Sequence, residues 1–306
     1  MPDDRLDLYA ARAEKRGSST DACFVKIMQS YSVRVALALS ISSAMLLPGW
    51  ASGHVARRAS TFPTRRVTAT VGQRLVLTHA VGIAVAVVEH GRVVYAHGFG
   101  ARNRHSNTPV DVATRFEIGS DTKQFTAAAV LQLKEQGRLS LDDRLAKYVP
   151  NFPHADELTL RELLYQTTGL FNYVDTNHMV QITQTSTGSF EKIERMAAGP
   201  LHFTPGSRWE YSNTNYIALG RVIEIVSGES YDSYIRQHLF APAEMDQTTT
   251  IDREQHVADM ATGYWHGMRK TGPLIVAPEI GASWTWSAGE IVSTVGDLAK
   301  RGLPGS

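Results

Sequence analysis

The sequence predicts an α+β fold in which an antiparallel sheet is flanked by helices and carries a helical lobe. The apolar segment 82–94 is typical of a β-hairpin, and an apolar helical stripe follows Ser120 and ends at Gly137. Between Leu139 and Gln181, short helical patterns alternate with turn residues, which suits a lobe between two parts of a sheet. The chain has 306 residues, 43% of them hydrophobic, and can therefore bury a substantial core.

The first part of the chain is predicted to be a leader. A run of apolar and small residues, Val35–Leu47, follows Arg34, and the small residues Ala51-Ser52-Gly53 after it suit a signal peptidase. The run is shorter than the roughly 20 residues that cross a bilayer comfortably, so an export signal is favoured over a membrane anchor. We therefore expect a leader at 1–53, with its signal in 34–53.

This leader predicts a periplasmic or secreted protein with no stable membrane span after signal removal. The mixed charges before the apolar run are unusual for a signal, and Met28 would be a more typical start. The single cysteine, Cys23, lies upstream of the run, so the mature chain 54–306 would contain no disulfide.

Ser120 and Lys123 form a candidate nucleophile and base at the start of a helix. Their spacing of three puts both side chains on one helical face. Serine is a weak nucleophile at neutral pH and needs a base within hydrogen-bond reach, and a buried lysine loses its proton more easily. The apolar stripe behind them consists of Phe125, Ala128, Ala129 and Leu133. The alternative interpretation is that Ser120 only caps the helix.

A second Ser-x-x-Lys pattern occurs at Ser189 and Lys192. It follows a Thr/Ser/Gly-rich stretch, Thr183–Ser189, which is predicted to be a loop, and it precedes a short helical pattern through Met196. Ser189 is therefore interpreted as an ordinary helix N-cap.

A further cluster, Tyr211-Ser212-Asn213, follows a Pro-Gly turn at 205–206 and precedes a helix predicted from about Tyr216 to Val226. A tyrosine on a rigid loop can relay a proton, and an asparagine can contact a substrate amide and orient a lysine. The pattern Tyr-x-Asn is common in loops, so it gains meaning only in combination with Ser120 and Lys123.

This combination resembles the serine β-lactamase-related family, which includes class C β-lactamases, DD-peptidases and related esterases. Five segments occur in the family's order and span roughly residues 65–300: the hairpin at 82–94, Phe-Glu-Ile-Gly-Ser-Asp-Thr-Lys at 116–123, Leu-Leu-Tyr-Gln-Thr-Thr-Gly-Leu at 163–170, the Pro-Gly to Tyr-Ser-Asn loop at 203–213, and Ser-Ala-Gly with Asp-Leu-Ala at 287–299. The resemblance implies a β-lactamase/penicillin-binding-protein-like fold.

The resemblance also implies the roles of the site residues. Ser120 would be the acylated nucleophile, Lys123 its base partner and Tyr211 the proton relay. Asn213 would contact both the lysine and the substrate. The predicted function is a serine hydrolase that forms an acyl-enzyme on a β-lactam, a D-alanyl peptide or an ester. Its partners would be small-molecule or peptide substrates, and it would need no cofactor. Which substrate is preferred depends on pocket shape and stays open at this point.

One motif of the family is not found where it is expected. Its members carry Lys-Thr-Gly or His-x-Gly on a strand after the Ser-Ala-Gly segment, whereas Lys270-Thr271-Gly272 precedes Ser287-Ala288-Gly289 and is interpreted as a loop coincidence. We therefore expect 54–306 to be a partial domain whose C-terminal strands are missing, with an unpaired edge and an exposed apolar face on the hairpin of residues 83–96. The alternative function is a truncated relative that binds or is acylated without efficient turnover.

Other functional classes are disfavoured by composition and spacing. The formal net charge is +1 and no basic patch occurs, which argues against nucleic-acid binding. No two of the 11 histidines lie within six positions of each other, so the usual helical zinc motifs are absent from the sequence. The segment Thr285-Trp286-Ser287-Ala288-Gly289 lacks the first glycine of a nucleophile elbow, which disfavours an α/β-hydrolase.

Overall fold

The structure is a computed structural model, and the residues it describes are 24–25, 38–39, 62–176, 179–185, 187–251, 259–265, 273–278 and 280–300. Apart from two short strands, the predicted leader lies outside these residues, including Met28 and Cys23. The Lys270-Thr271-Gly272 segment also lies outside them. Within the described part of the chain, no helix is both long and apolar enough to cross a membrane.

Strands and helices occur mostly in separate runs along the described chain. In order they are β1 (Phe24–Val25), β2 (Ala38–Leu39), α1 (Thr64–Leu77), β3 (Gly82–Glu89), β4 (Arg92–Asn103), β5 (Thr108–Pro109), β6 (Phe116–Glu117), α2 (Thr122–Glu135), α3 (Leu160–Tyr165), α4 (Met179–Thr185), α5 (Phe190–Met196), α6 (Asn213–Ser227), α7 (Tyr231–Ile235), β7 (Thr249–Thr250), β8 (Tyr264–Trp265), β9 (Ile275–Val276), α8 (Ala282–Gly289), β10 (Ile291–Ser293) and α9 (Val295–Lys300). Short 3-10 turns lie at Gly119–Asp121, Leu145–Lys147 and Tyr173–Asp175, and a π-helical turn lies at Arg236–Phe240.

The strand pairs are antiparallel, as the sequence predicts, but the described strands form separate sheets. The hairpin β3–β4 is extended by β5, and β10 lies between β6 and β7. The hairpin turns at His90-Gly91, where both residues have positive φ (50° and 69°). Such a two-residue turn matches the right-handed twist of the strands it joins. The β6–β10–β7 sheet supports the candidate site, because β6 precedes Ser120 and β10 follows the Ser-Ala-Gly segment.

The apolar residues of β3 are covered on both faces, so the expected exposed apolar face is wrong for this strand, whereas Val93 and Val94 on β4 are exposed. On one face, Ile83 and Val85 pack with Tyr95 against apolar residues of α1. On the other face, Ala84 and Ala86 pack against residues of β6 and α9. The residues that cover the hairpin lie before it and far after it in sequence, which is why the pattern of the hairpin itself did not reveal them. Within the described sheet, β3 remains an edge strand.

The largest core lies in the helical part of the chain. Helix α2 contributes Phe125, Ala129 and Leu133 from the predicted stripe, whereas Ala128 is half-buried. Helix α6 runs through this core and packs on α2, α3 and α8, and it ends at Gly228, whose positive φ of 77° suits a helix C-terminus. Helices α2 and α6 thus form a rigid support beneath the two predicted clusters.

Two helix boundaries differ from the sequence prediction. The stretch Thr183–Ser189 was expected to be a loop, but α4 continues through Thr185. Thr183 is buried, and tertiary packing of this kind stabilises a helix that local composition disfavours. Helix α6 begins at Asn213, three residues before the predicted Tyr216, because its polar first turn is held by hydrogen bonds to residues of the 166–172 region.

Candidate active site

Ser120 lies in the short 3-10 turn that joins β6 to α2. The backbone N–H of Ile118 donates to the carbonyl oxygen of Ile291 on β10 at 2.9 Å, which ties this turn to the sheet. Ser120 is not the N-cap of this turn or of α2, whose N-cap residues are Ile118 and Asp121. Its oxygen lies 2.6 Å from the Tyr211 hydroxyl oxygen and 3.1 Å from Lys123 Nζ. The interpretation of Ser120 as a simple cap is therefore not supported.

Lys123 is the buried centre of the site, with 7% of its surface exposed. Besides Ser120, its Nζ donates to Asn213 Oδ1 at 2.8 Å and to the Ala288 carbonyl oxygen at 2.7 Å. Burial lowers the pKa of Lys123 from 10.5 to about 7, and the nearby Asp121 carboxylate partly opposes this shift. A substantial fraction of Lys123 is therefore neutral at physiological pH.

These three contacts give the neutral amine a defined orientation. The Ala288 carbonyl oxygen and Asn213 Oδ1 can only accept hydrogen bonds, so each takes one N–H of the neutral amine. The remaining tetrahedral position of Nζ, which holds the lone pair, then faces the Ser120 hydroxyl. In this protonation state, Lys123 can accept the proton of Ser120.

Tyr211 provides the second contact to the Ser120 hydroxyl. Its hydroxyl lies 2.6 Å from Ser120 Oγ and 3.3 Å from Asn213 Oδ1. Burial raises the pKa of Tyr211, although the hydrogen bond with Ser120 opposes the shift. The phenol therefore keeps its proton near neutral pH and can accept one proton while it donates another.

The structure thus brings together all four residues predicted from the sequence: Ser120, Lys123, Tyr211 and Asn213. The hydroxyl of Ser189 accepts a hydrogen bond from the Lys192 backbone N–H at 3.3 Å, and Ser189 is the N-cap of α5. The N-cap interpretation is confirmed.

Three further groups that support the site were not predicted. Buried Gln166 accepts hydrogen bonds from the Ser212 backbone and the Asn215 side chain, and so holds the tyrosine loop. Asn172 accepts two hydrogen bonds from Asn213. The third group is the Ala288 carbonyl oxygen. Gln166 lies inside the family-like segment 163–170, so the resemblance could have indicated it. Nothing in the sequence pattern marks Asn172 or a backbone carbonyl.

The segment that carries Ala288 is held by helix α2. Thr126, one turn after Lys123, donates to the Ser287 carbonyl oxygen at 2.7 Å, and Ser287 Oγ donates to the Tyr216 carbonyl oxygen at 2.9 Å. Helix α8 is interrupted at Trp286, whose φ of 30° and ψ of −131° are non-helical. This break turns the chain so that the Ala288 carbonyl faces Lys123. Within the described residues, no group of three or more His, Cys, Asp or Glu side chains could hold a metal ion.

The pKa of Lys123 predicts the pH dependence of acylation. A base role for the neutral amine predicts that the acylation rate rises with pH through a midpoint near 7 and then levels off. Stopped-flow acylation with an activated ester between pH 5 and 9, corrected for uncatalysed hydrolysis, would measure it. A rate that still rises in proportion to hydroxide at pH 9 would mean that Lys123 is not the base.

Comparisons with known proteins identify the family of the chain. The Beta-lactamase family model matches residues 67–304. Protein flp of Staphylococcus aureus (strain MW2) is 31% identical over 221 residues, which cover 71% of this chain and 44% of that protein. The chain spans about half the length of the curated relatives it matches.

Solved structures give the same result. The octameric penicillin-binding protein homologue from Pyrococcus abyssi is 29% identical with a TM-score of 0.66, and the match covers 78% of this chain and 55% of that one. The D-stereospecific amidohydrolase from Streptomyces sp. is 28% identical with a TM-score of 0.68, and the match covers 79% and 75%. These matches confirm the predicted β-lactamase/penicillin-binding-protein-like fold, and the chain belongs to the serine β-lactamase-related family.

Proposed function

We propose that this chain is a serine hydrolase that forms an acyl-enzyme on Ser120. The observation that carries the proposal is the contact of one serine hydroxyl with both a buried lysine of lowered pKa and a tyrosine hydroxyl. A serine that only supports the fold would not require a partly neutral, buried amine beside it. Perturbed lysines of this kind are typical of catalytic sites.

The reaction follows from the protons that these groups can hold. Neutral Lys123 takes the proton of Ser120, and Oγ attacks the carbonyl carbon of the substrate to give a tetrahedral intermediate. The leaving nitrogen or oxygen receives a proton from the Tyr211 hydroxyl, and the Lys123 ammonium then gives its proton to the Tyr211 oxygen, which restores both groups. Water then attacks the Ser120 ester, loses a proton to the same network and releases the acid and free Ser120.

The proposed substrates are β-lactams, D-alanyl peptides and simple esters. All three present a carbonyl carbon to Ser120 and a leaving group to Tyr211. The names of relatives support peptide-like donors: one solved neighbour is a penicillin-binding protein homologue and another is a D-stereospecific amidohydrolase. We further propose, from the leader pattern alone, that the protein acts in the periplasm or after secretion.

Intact-mass analysis of the full chain tests the proposal. After exposure to a penicillin, the protein should gain the whole mass of the β-lactam, because ring opening retains the leaving nitrogen. Peptide mapping should place the adduct on Ser120, and Ser120→Ala should show none. Ser189→Ala is the matched control, since it removes the serine of the other Ser-x-x-Lys pattern and should keep the adduct.

The outcomes separate the candidate functions. An adduct on Ser120 together with many product molecules per enzyme supports a hydrolase. An adduct without product release identifies a relative that is acylated without efficient turnover. Steady hydrolysis by folded Ser120→Ala would contradict the assignment of the nucleophile. Parallel assays with a D-alanyl peptide and an activated ester would rank the three substrate classes by kcat/KM.

A further inference from the structure

Asn172 is a buried residue whose side chain accepts hydrogen bonds from Asn213 of the site. It lies just before the 3-10 turn Tyr173–Asp175 and has 9% of its surface exposed. Its Oδ1 accepts from the Asn213 backbone N–H at 3.0 Å and from Asn213 Nδ2 at 3.1 Å. Two hydrogen bonds thus join the same pair of residues through one oxygen atom.

These bonds determine the orientation of both side-chain amides. A backbone N–H can only donate, so the atom of Asn172 that faces it must be the oxygen. Because that oxygen also faces the amide of Asn213, the nearer atom of Asn213 must be its nitrogen. The oxygen of Asn213 must then point to the other side, toward Lys123 Nζ.

We infer that Asn172 is a positioning residue for acylation, which holds the Asn213 amide with its oxygen toward Lys123 and so keeps the lysine lone pair on Ser120. The role rests on the proposed function of Ser120 and Lys123. If the Asn213 amide were reversed, its NH₂ group would donate to the lone pair of neutral Lys123 and compete with the Ser120 proton. Asn172 makes this reversal unfavourable, because the Asn213 oxygen would then face the Asn172 oxygen with no donor between them. Reversing Asn172 as well would leave the Asn213 backbone N–H without its acceptor.

The orientation should be visible in the titration of Lys123. Asp121 is the charged group that acts on Lys123, from the start of its own helix. The rings of Tyr211 and Tyr216 lie 5.0 and 5.7 Å from Nζ, and burial raises the pKa of both phenols, so they stay neutral in this range. Behind them, Tyr173 is also neutral because burial raises its pKa, and the segment after Ala288 carries Glu290.

Two variants of Asn172 are expected to shift the pKa of Lys123 in opposite directions. Asn172→Asp keeps an acceptor for both bonds and adds a negative charge near the lysine, so the pKa should rise by about one unit or more. Asn172→Leu has a similar shape but no acceptor. The Asn213 amide can then reverse and stabilise the neutral amine, so the pKa should fall.

The titration can be followed by NMR of the full chain labelled with ¹³C at lysine Cε, with the Lys123 signal assigned from its loss in Lys123→Met. Asn107→Asp adds the same charge at an exposed turn and should leave the signal unchanged. Opposite shifts in the two Asn172 variants support the inference. No shift, or shifts in the same direction, would overturn it, because a merely structural residue would change stability without such a sign difference. If Asn172→Leu does not fold, a missing upward shift in Asn172→Asp would suffice to overturn it.

Kinetics give the second measurement. The acylation rates are compared at a pH above the Lys123 pKa of each variant. Asn172→Leu should acylate about tenfold or more slowly than the wild type, which is a part of what a general base contributes. Asn172→Asp should keep most of the wild-type rate. An equal loss in both variants would overturn the inference. The titration needs no substrate, so its result stands even if the wild-type chain forms no acyl-enzyme. A missing acyl-enzyme would count against the proposed function and not against the role of Asn172.

Discussion

Replacing Lys123 by methionine is expected to lower the acylation rate of Ser120 by about 10³-fold, within the range of about 10² to 10⁴ that a positioned general base contributes. Methionine fills similar space but cannot accept the proton of Ser120. The Tyr211 phenol, whose pKa is raised by burial, is a poor substitute because it lacks the negative charge of a base. Single-turnover acylation with a β-lactam or an activated ester would measure the loss.

The same substitution should also change how stability depends on pH. The pKa of Lys123 is about 7 in the folded chain and near 10.5 when exposed, so between these values the unfolded chain binds more protons. Stability from this group therefore rises with pH across that window and is constant below it. Relative to Lys123→Met, the wild type should gain about 1.4 kcal/mol of unfolding free energy per pH unit from 7 to 10.

Urea unfolding of both proteins at several pH values would check this slope. Lys134→Met is the matched control, because Lys134 lies on the same helix but is exposed, and it should change neither the rate nor the slope. A wild-type advantage that does not vary between pH 7 and 10 would show that Lys123 has an ordinary pKa. The catalytic role of its neutral amine would then lose its physical basis.

Two of the four predicted site residues are marked by a local feature of the sequence, and the other two were predicted from the family resemblance. Ser120 and Lys123 are three positions apart at the start of a helix, which puts them on one face. Tyr211 and Asn213 stand in a pattern that is common in loops, and in the structure Asn213 begins α6, which packs on α2. The structure brings them together, and their chemical roles stay predictions. Family membership and fold class, by contrast, are confirmed by the comparisons.

What the sequence could not predict depends on contacts between distant segments. The Ala288 carbonyl reaches Lys123 across 165 positions, and any residue type has such a carbonyl. Asn172 lies 41 positions before Asn213 and has no distinctive pattern around it. The cover of the hairpin was missed for the same reason, since α1 and α9 lie on opposite sides of it in sequence. Local periodicity reports which face is apolar, but not which partner buries it.

The backbone contact that orients Lys123 depends on a glycine in the middle of α6. A methyl group on Gly220 would lie 2.2 Å from Ser287 Oγ and 2.5 Å from Ser287 Cβ, which is too close for both to stay in place. Gly220→Ala should therefore displace the Ser287–Ala288 segment, although alanine is the better helix former. We expect it to cost about 1 to 3 kcal/mol of stability, as overpacking does, and to slow acylation.

Gly72 in α1 offers the opposite case. A methyl group there meets no atom within 4 Å, so Gly72→Ala should raise stability by up to about 1 kcal/mol and leave acylation unchanged. Urea unfolding and single-turnover acylation of the two variants test the contrast. If both glycines gain stability on replacement, the close approach of α6 to Ser287 is not present in solution. If Gly220→Ala loses stability but keeps the wild-type rate, the Ala288 carbonyl is not needed to orient Lys123. A loss of both, with Gly72→Ala unaffected in rate, would mean that the packing of one helix on a backbone segment sets the geometry of the base.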